Sequence, residues 1–386
     1  VPGMDPTMCT STKIELMNKL RQRYQNAGRK HRSKLITQAV DLMGYHRKAA
    51  IRALAAATPK PSILKSGGRP IEYDFSLLSP ALRVIWQTAD FPCALRLSAM
   101  LPEWILAYES YHRPLKEEVR QKLLEASPRT LERLLSPLRL QAGRRCLTRP
   151  GTLLRQQIPI RGSVWEENAP GWLEVDTVAL CGGSVAGDFV WMVDGVDYAT
   201  TWVSVRAIWN RGQAATLSAL QDIEKNLPFE LLGLDSDNGG EFINYHVMAW
   251  LQQRKRPVFM TRSRPYKKDD NAHVEQKNWT HIRQWFGYER YENPEVVEAI
   301  NQMVRGPWSQ LLNYFHTSLK LEKKEKGKRV YDTPKTPLAR VVASEKIDSK
   351  TKERLNREKS HLNPFELKAR VKEQLKVIDK LRRQKT

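Results

Sequence analysis

Trp172-Leu-Glu-Val-Asp176-Thr-Val-Ala-Leu180 is an apolar run of strand character with carboxylates set into it, and it opens a change of pattern that decides the fold. Two further runs of the same character, 188–196 and 201–208, follow it through the turn-forming Cys181-Gly-Gly183 and Asp197-Tyr-Ala199. Beyond Ile208 the period lengthens. A helix is expected over Gln213–Asn226, a strand over Glu230–Leu234, a helix over Glu241–Arg254 and a strand over Pro257–Thr261. A last helix opens after the cap signal Asp269-Asp-Asn271. Three meandering strands followed by alternating helices and strands describe an α/β sheet. Trp191, Trp202 and Trp209 are expected to pack that sheet rather than to stack on bases.

Three carboxylates fall at telling places in this pattern. Asp176 lies inside the first strand run. Asp237, in Leu234-Asp-Ser-Asp237-Asn-Gly-Gly-Glu-Phe242, sits just past the apolar Leu231-Leu-Gly-Leu234 where a Gly-rich turn begins. Glu275, in Asn271-Ala-His-Val-Glu275-Gln-Lys-Asn278-Trp, lies on the last helix. If the two strands are neighbours, both aspartates meet at one sheet edge and the helix can bring the glutamate to them. Carboxylates about 4 Å apart repel by roughly 4 kcal/mol at an effective dielectric near 20, so three converge only when protonated or bridged by cations. An oxygen-only ligand set suits two Mg²⁺ or Mn²⁺ ions, and such a pair clamps the attacking and leaving oxygens of an in-line phosphodiester displacement. Taken singly, Asp176 is a strand carboxylate, Asp237 a turn former and Glu275 a helix-surface residue; order and context join them. Asn278 lies one turn beyond Glu275 on the same helical face, placed to orient a ligand or touch DNA. Arg262, Arg264, Lys267 and Lys268 precede that helix, where cations can hold phosphates, while His273 points away from Glu275.

Composition points to a polyanionic partner. Lys+Arg 64 against Asp+Glu 42 gives a net charge of +22 and a pI near 9.9, an electrostatic footprint for nucleic acid, although a membrane surface would also attract this charge. No apolar run approaches the ~20 residues of a membrane-spanning helix, and no signal peptide is recognisable. The expected location is therefore the cytoplasm. A length of 386 residues, 41% of them hydrophobic, suffices for two or three cores. Cys9, Cys93, Cys146 and Cys181 lack C-x-x-C spacing, which argues against a zinc site or a disulfide framework. Val1–Met8 reads as an expression remnant and is set aside from the fold.

The first half reads as helices. Lys13–Asn26 is amphipathic, and Ser33–Met43 is broken by Gly44-Tyr45 from a third helix, His46–Ala57. Helix, Gly-containing turn, helix is the helix-turn-helix pattern, with His46, Arg47, Lys48 and Arg52 placed to meet a major groove. A small helical bundle with a solvated basic face reads equally well. Lys65-Ser-Gly-Gly-Arg69-Pro70 is a linker in which Arg69 can lie along an A·T-rich minor groove. Helical patterns resume over Ser76–Ala89, Ala94–Ala107 and Pro114–Ala126. Ser127 then stands as N-cap and Pro128 at the first helical position of a second recognition helix, with Arg129, Thr130 and Arg133 facing DNA. Arg149 and Arg155 belong to a basic connector, Gln141–Arg161, read as a phosphate-tracking strap rather than a plain linker. Near the C-terminus, Lys320–Arg329 reads as a solvated charged loop. Asn363–Arg383 reads as a basic amphipathic helix whose Leu367, Val371, Leu375, Ile378 and Leu381 either meet a second subunit or pack back on the core.

The strand and helix order of the α/β segment is that of a ribonuclease-H-like sheet. From about Lys30 to Val342, and most strongly from Trp172 to Arg290, the chain resembles bacterial insertion-sequence transposases of the DDE group, whose catalytic core is retroviral-integrase-like. The resemblance rests on Asp-Asn-Gly-Gly-Glu-Phe at 237–242 and Asn-Ala-His-Val-Glu at 271–275. It implies Asp176, Asp237 and Glu275 as the metal-binding catalytic triad, Mg²⁺-dependent cleavage at terminal inverted repeats of double-stranded DNA, and transfer of the freed 3′-hydroxyl into target DNA; because one acidic cluster cannot serve both element ends at once, a homo-oligomer of at least two subunits is expected. Asp237 is preferred over its neighbours Asp235 and Glu241 because Asn-Gly follows it, and the N-terminal half lacks the His/Cys zinc module of retroviral integrases. The architecture expected is multidomain: all-α helix-turn-helix segments at 9–64 and 75–140, linkers at 65–74 and 141–164, an α/β core at 165–318 and a basic helical tail at 319–386. A nuclease of the same fold that cuts without joining, and an inactive DNA-binding regulator, are the competing readings.

Overall fold

The computed structural model describes residues 10–56, 73–141, 169–236, Phe242, 245–262, 278–325 and 328–384. Contacts divide the chain into two units, Val1–Glu72 and Tyr73–Thr386. The first holds three helices: α1 (Thr10–Gln25), α2 (Arg29–Met43) and α3 (Arg47–Ala55). Met17 and Leu20, Leu35, Ile36 and Ala39, and Ala50 and Leu54 bring their apolar faces together as its core. The break between α2 and α3 needs a left-handed residue, and Gly44 supplies it at φ +69°, its N–H returning to Val40 O. His46 then caps α3, its ring accepting from Lys48 N at 3.4 Å.

The second unit opens with four helices, α4 (Phe75–Thr88), α5 (Ala94–Tyr111), α6 (Glu117–Glu125) and α7 (Pro128–Gln141). Ser127 caps α7 as expected, its Oγ accepting from Thr130 N at 3.2 Å. A five-stranded sheet follows, in the order β3-β2-β1-β4-β5, made of β1 (Trp172–Ala179), β2 (Val190–Asp197), β3 (Val203–Trp209), β4 (Gly233–Ser236) and β5 (Phe259–Arg262). The first three strands form an antiparallel meander, and β4 and β5 run parallel to β1. This is the mixed sheet that the strand order of the sequence describes. Parallel pairing requires crossovers, which α8 (Gln213–Lys225) and α9 (Tyr245–Gln252) provide. They cover one face through Leu220, Ile223, Val247 and Leu251, packed on Leu173, Val175, Val193 and Leu234.

The opposite face is covered by α10, a π-helical turn Trp279–Arg283 running into Gln284–Phe286, and by α11 (Val296–Arg305) and α12 (Pro307–Phe315). Two buried asparagines cap the β3 edge. Ala207 N donates to Asn301 Oδ1 at 2.8 Å and Ala207 O accepts from Asn301 Nδ2 at 2.9 Å. Asn313 does the same for Val203, at 2.8 and 2.9 Å. Side-chain amides thus take the place of a neighbouring strand at those two positions.

The C-terminal region corrects one expectation and decides another. Residues 320–329 do not form a solvated loop: β6 (Leu321–Glu325) and β7 (Lys328–Tyr331) pair as an antiparallel hairpin. Its stem is held by Asp332, which accepts Lys320 N at 2.7 Å and pairs with the partly buried Arg340. Three helices end the chain, α13 (Pro337–Ala343), α14 (Ser349–Ser360) and α15 (Pro364–Arg383). The stripe on α15 is spent inside the subunit. Leu367 and Phe365 join Trp104, Ile105 and Tyr108 of α5, while Val371 and Ile378 join the sheet-facing core. The helices read as a second reading domain and the helices of the C-terminal tail therefore share a core within a single unit. No helix among the described residues is long and apolar enough to cross a membrane.

Candidate active site

The strand register sets the site. Trp172 lies beside Gly233 and Val175 beside Ser236 in the parallel β1–β4 pair. Gly233 is required there, because a Cβ on it would stand 2.1 Å from Trp172 Cε3. The indole lies across the glycine and stacks on Phe259 of β5, centroids 6.0 Å apart and planes 23° from parallel. One aromatic ring thus spans three strands and resists register slip, which would turn every side chain to the other face. Asp176 is the residue after Val175 and Asp237 the residue after Ser236. Asp237 and Glu275 both lie outside the described residues.

Asp176 is half-buried, and each of its oxygens has a partner. Oδ1 accepts Thr177 N at 2.7 Å, and Oδ2 accepts Asn278 Nδ2 at 2.6 Å across 102 residues of sequence. Asn278, just before the π-helical turn, thus reaches β1 from a distant part of the sequence. Each carboxylate oxygen offers about two lone-pair sites, so neither of these bonds by itself saturates its oxygen. Asp235, the neighbouring acid, is buried and receives the Thr261 hydroxyl on its Oδ1 at 2.6 Å.

Sequence reasoning missed Asp194 and His281. Asp194 stands directly opposite Asp176 in the antiparallel β1–β2 pair, so the two share a sheet face. It is wholly buried, and His281 Nδ1 donates to its Oδ2 at 3.0 Å. The imidazole is itself buried, edge-on to the Trp308 ring. Asn278 and His281, three positions apart, therefore hold two carboxylates that face each other on adjacent strands. The π-helical winding at Trp279–Arg283 is a local departure of the kind that recurs at functional sites. The one signal in the sequence was Asp194 interrupting the apolar 189–193 run.

The other candidates are scattered. His46, Arg47, Lys48 and Arg52 are all exposed around the start of α3. Arg129 and Arg133 are exposed on α7, and Thr130 is partly covered by its bond to Ser127. Arg69, Arg149, Arg155, Arg264, Lys267 and Lys268 lie outside the described residues. Among the described residues no three His, Cys, Asp or Glu side chains converge as a metal-binding group.

No family model matches the chain. Among solved structures it is similar to the catalytic core domain of BIV integrase, at 12% identity over 44% of this chain and 91% of that one, with a TM-score of 0.27. It is also similar to a chain of the simian T-cell lymphotropic virus intasome in complex with PP2A regulatory subunit B56 gamma, at 13% identity over 55% of this chain and 69% of that one, with a TM-score of 0.32. Among curated proteins, the uncharacterized protein y4rM of Sinorhizobium fredii (strain NBRC 101917 / NGR234) is 34% identical over 341 residues, 86% of this chain and 95% of that protein. With a third of the residues shared across most of both chains, this protein belongs to the y4rM family.

Proposed function

We propose that the protein is a DNA transposase that cuts at the ends of an element and joins the freed 3′-hydroxyl to target DNA. The observation that carries this reading is the hydrogen bond from Asn278 to Asp176. Asn278 stands three residues after Glu275 in the sequence, so the bond supports a place for that glutamate near the first aspartate. The parallel β1–β4 register, which ends at Val175 beside Ser236, supports Asp237 as the third member. Asp235 is less suited to that role, since it is buried against Thr261.

The donor set fits divalent cations: Asp176 is a half-buried carboxylate at the end of the β1–β4 pairing, and the other two ligands in this reading are also carboxylates. Asp176, Asp237 and Glu275 would hold two Mg²⁺ or Mn²⁺ ions, which supply activation of the attacking hydroxyl and stabilisation of the leaving oxygen. The chain's own residues do the rest. Asn278 fixes the orientation of Asp176, the His281–Asp194 pair seats α10 on the sheet, and partial burial strengthens every charge interaction there. The exposed cations at the start of α3 and along α7 are the surfaces that would read terminal repeats, in a complex of at least two subunits.

A gel assay with labelled pre-cut and uncut element ends in Mg²⁺ tests the reading. Wild-type protein is expected to yield a joined product, and Asp176→Asn, Asp237→Asn and Glu275→Gln are expected to lose cutting and joining while still binding the ends. Near-normal strand transfer by any of the three would sink the triad. Cutting without joining would leave a nuclease, and end binding with neither would leave a regulator.

A further inference from the structure

The segment that holds Asp176 in place also leaves two large aromatic rings in water. Trp279, next to Asn278, is 53% exposed, and Tyr288 is 67% exposed. Their centroids are 6.3 Å apart with the planes 39° from parallel. The same segment buries His281, Ile282 and Phe286, so an apolar environment lies within one turn and these two rings stay outside it. Exposed aromatic surface gains nothing from solvent. Structure is nonetheless spent on holding it. The Arg283 guanidinium lies over the Tyr288 ring, 5.0 Å from its centroid. Its Nη2 donates to Ala179 O at 2.8 Å and its Nη1 to Gly287 O at 3.3 Å. Ala179 ends β1, three residues beyond Asp176, so the tether runs to the strand of the candidate catalytic aspartate.

We propose that Trp279 and Tyr288, backed by Arg283, form a shelf on which an unpaired DNA base stacks beside the reacting phosphodiester. The inference rests on the DNA-cutting reading of Asp176. A flat aromatic face suits any of the four bases, which is what a site beside the cut requires when specificity is read elsewhere, and the guanidinium adds attraction for the polyanion. Bases within a paired duplex have no free face to offer, so the shelf selects frayed or single-stranded ends. Trp279 adjoins the residue that orients Asp176, which places the stacked nucleotide next to the bond to be broken.

The test uses the full chain and short duplexes without divalent cation, so that no cutting occurs. One set carries 2-aminopurine as an unpaired nucleotide at the end, and the other carries it paired within the duplex. Binding of wild-type protein is expected to change the emission of the unpaired probe and leave the paired probe unaltered. Trp279→Leu and Tyr288→Ser are expected to abolish that change and to weaken frayed-end binding about tenfold, with fully paired binding and the thermal midpoint unchanged. Trp279→Phe, which keeps a ring, restores the signal. An unchanged emission response in both ring-deleted variants overturns the shelf, as does a loss of thermal stability with no loss of frayed-end affinity. A wild-type protein that binds neither DNA defeats the transposase reading itself, a result distinct from either.

Discussion

At the scale of single residues, Asp176 depends on a partner supplied from a distant part of the chain. Asn278 gives one hydrogen to its Oδ2, across the gap between α10 and β1. Asn278→Leu keeps the volume and removes the donor. If Asp176 ligates metal as proposed, groups that orient such a carboxylate typically matter 10–100-fold, and the cleavage rate is then expected to fall by roughly that factor with little change in thermal midpoint. An unchanged rate would show that Asp176 needs no such support. His281 behaves differently because its partner is sealed in. Its replacement by Phe leaves the fully buried Asp194 without its imidazole, at a cost of about 2–3 kcal/mol in denaturant unfolding. Adding Asp194→Leu to that variant should recover part of the loss, and strict additivity of the two single changes would argue that the pair is not coupled. Asp176 was legible in the sequence because a carboxylate stands out in an apolar strand run, and Asn278 because it lies one turn from Glu275. Asp194 and His281 were not, since 87 residues separate them and only the strand pairing makes them neighbours of the site.

At the scale of elements, the junction of α5, α12 and α15 shows how the tail is secured. Lys368 of α15 pairs with Asp90 and lies 4.0 Å from the centroid of the Trp285 ring. His316, at the end of α12, is packed against Trp104, with Asp90 Oδ2 at 4.0 Å. Burial, reinforced by the Arg96 and Lys368 cations, holds the His316 pKa well below its ordinary 6.5. Below about pH 6.5 the unfolded chain takes up a proton that the folded chain refuses, so stability is full above that pH and falls as the pH drops. The loss has a limiting slope of about 1.4 kcal/mol per pH unit, ending at the folded pKa. His316→Gln is expected to flatten this part of the profile, measured as unfolding free energy between pH 7 and 5; parallel profiles for the two proteins would refute the assignment. The meander was legible because β1, β2 and β3 each alternate or bury as strands do, and their bounds fall within two residues of the pattern. The β6–β7 hairpin was not, because alternation vanishes in Glu322-Lys-Lys-Glu325 and pairing is decided by the stem at Asp332 and Arg340. The α15 stripe was seen, but an apolar stripe looks the same whether it meets a partner or its own core.

At the scale of the whole molecule, charge and folding are divided unequally. Residues 1–72 carry 14 Lys and Arg against 4 Asp and Glu, whereas the entire chain carries 64 against 42. Nearly half the net charge therefore lies in less than a fifth of the length, in a unit whose three helices bury a core of their own. Among the described residues, the sheet of the unit from Tyr73 onward and the helices that cover it are packed by residues of that unit alone. A chain beginning at Tyr73 is thus expected to fold cooperatively, with a thermal midpoint close to that of its transition in the full-length protein. Its hold on element ends should weaken, since every phosphate that the shorter chain leaves unneutralised lowers the log–log slope of affinity against salt by about 0.9. Binding isotherms at several salt concentrations for both proteins measure that difference directly. If the shortened chain failed to fold, the two units would not be independent. If it folded and kept the full salt slope, the exposed cations around His46 to Arg52 would have no part in holding DNA, and recognition would have to rest on α7 and the remainder of the second unit.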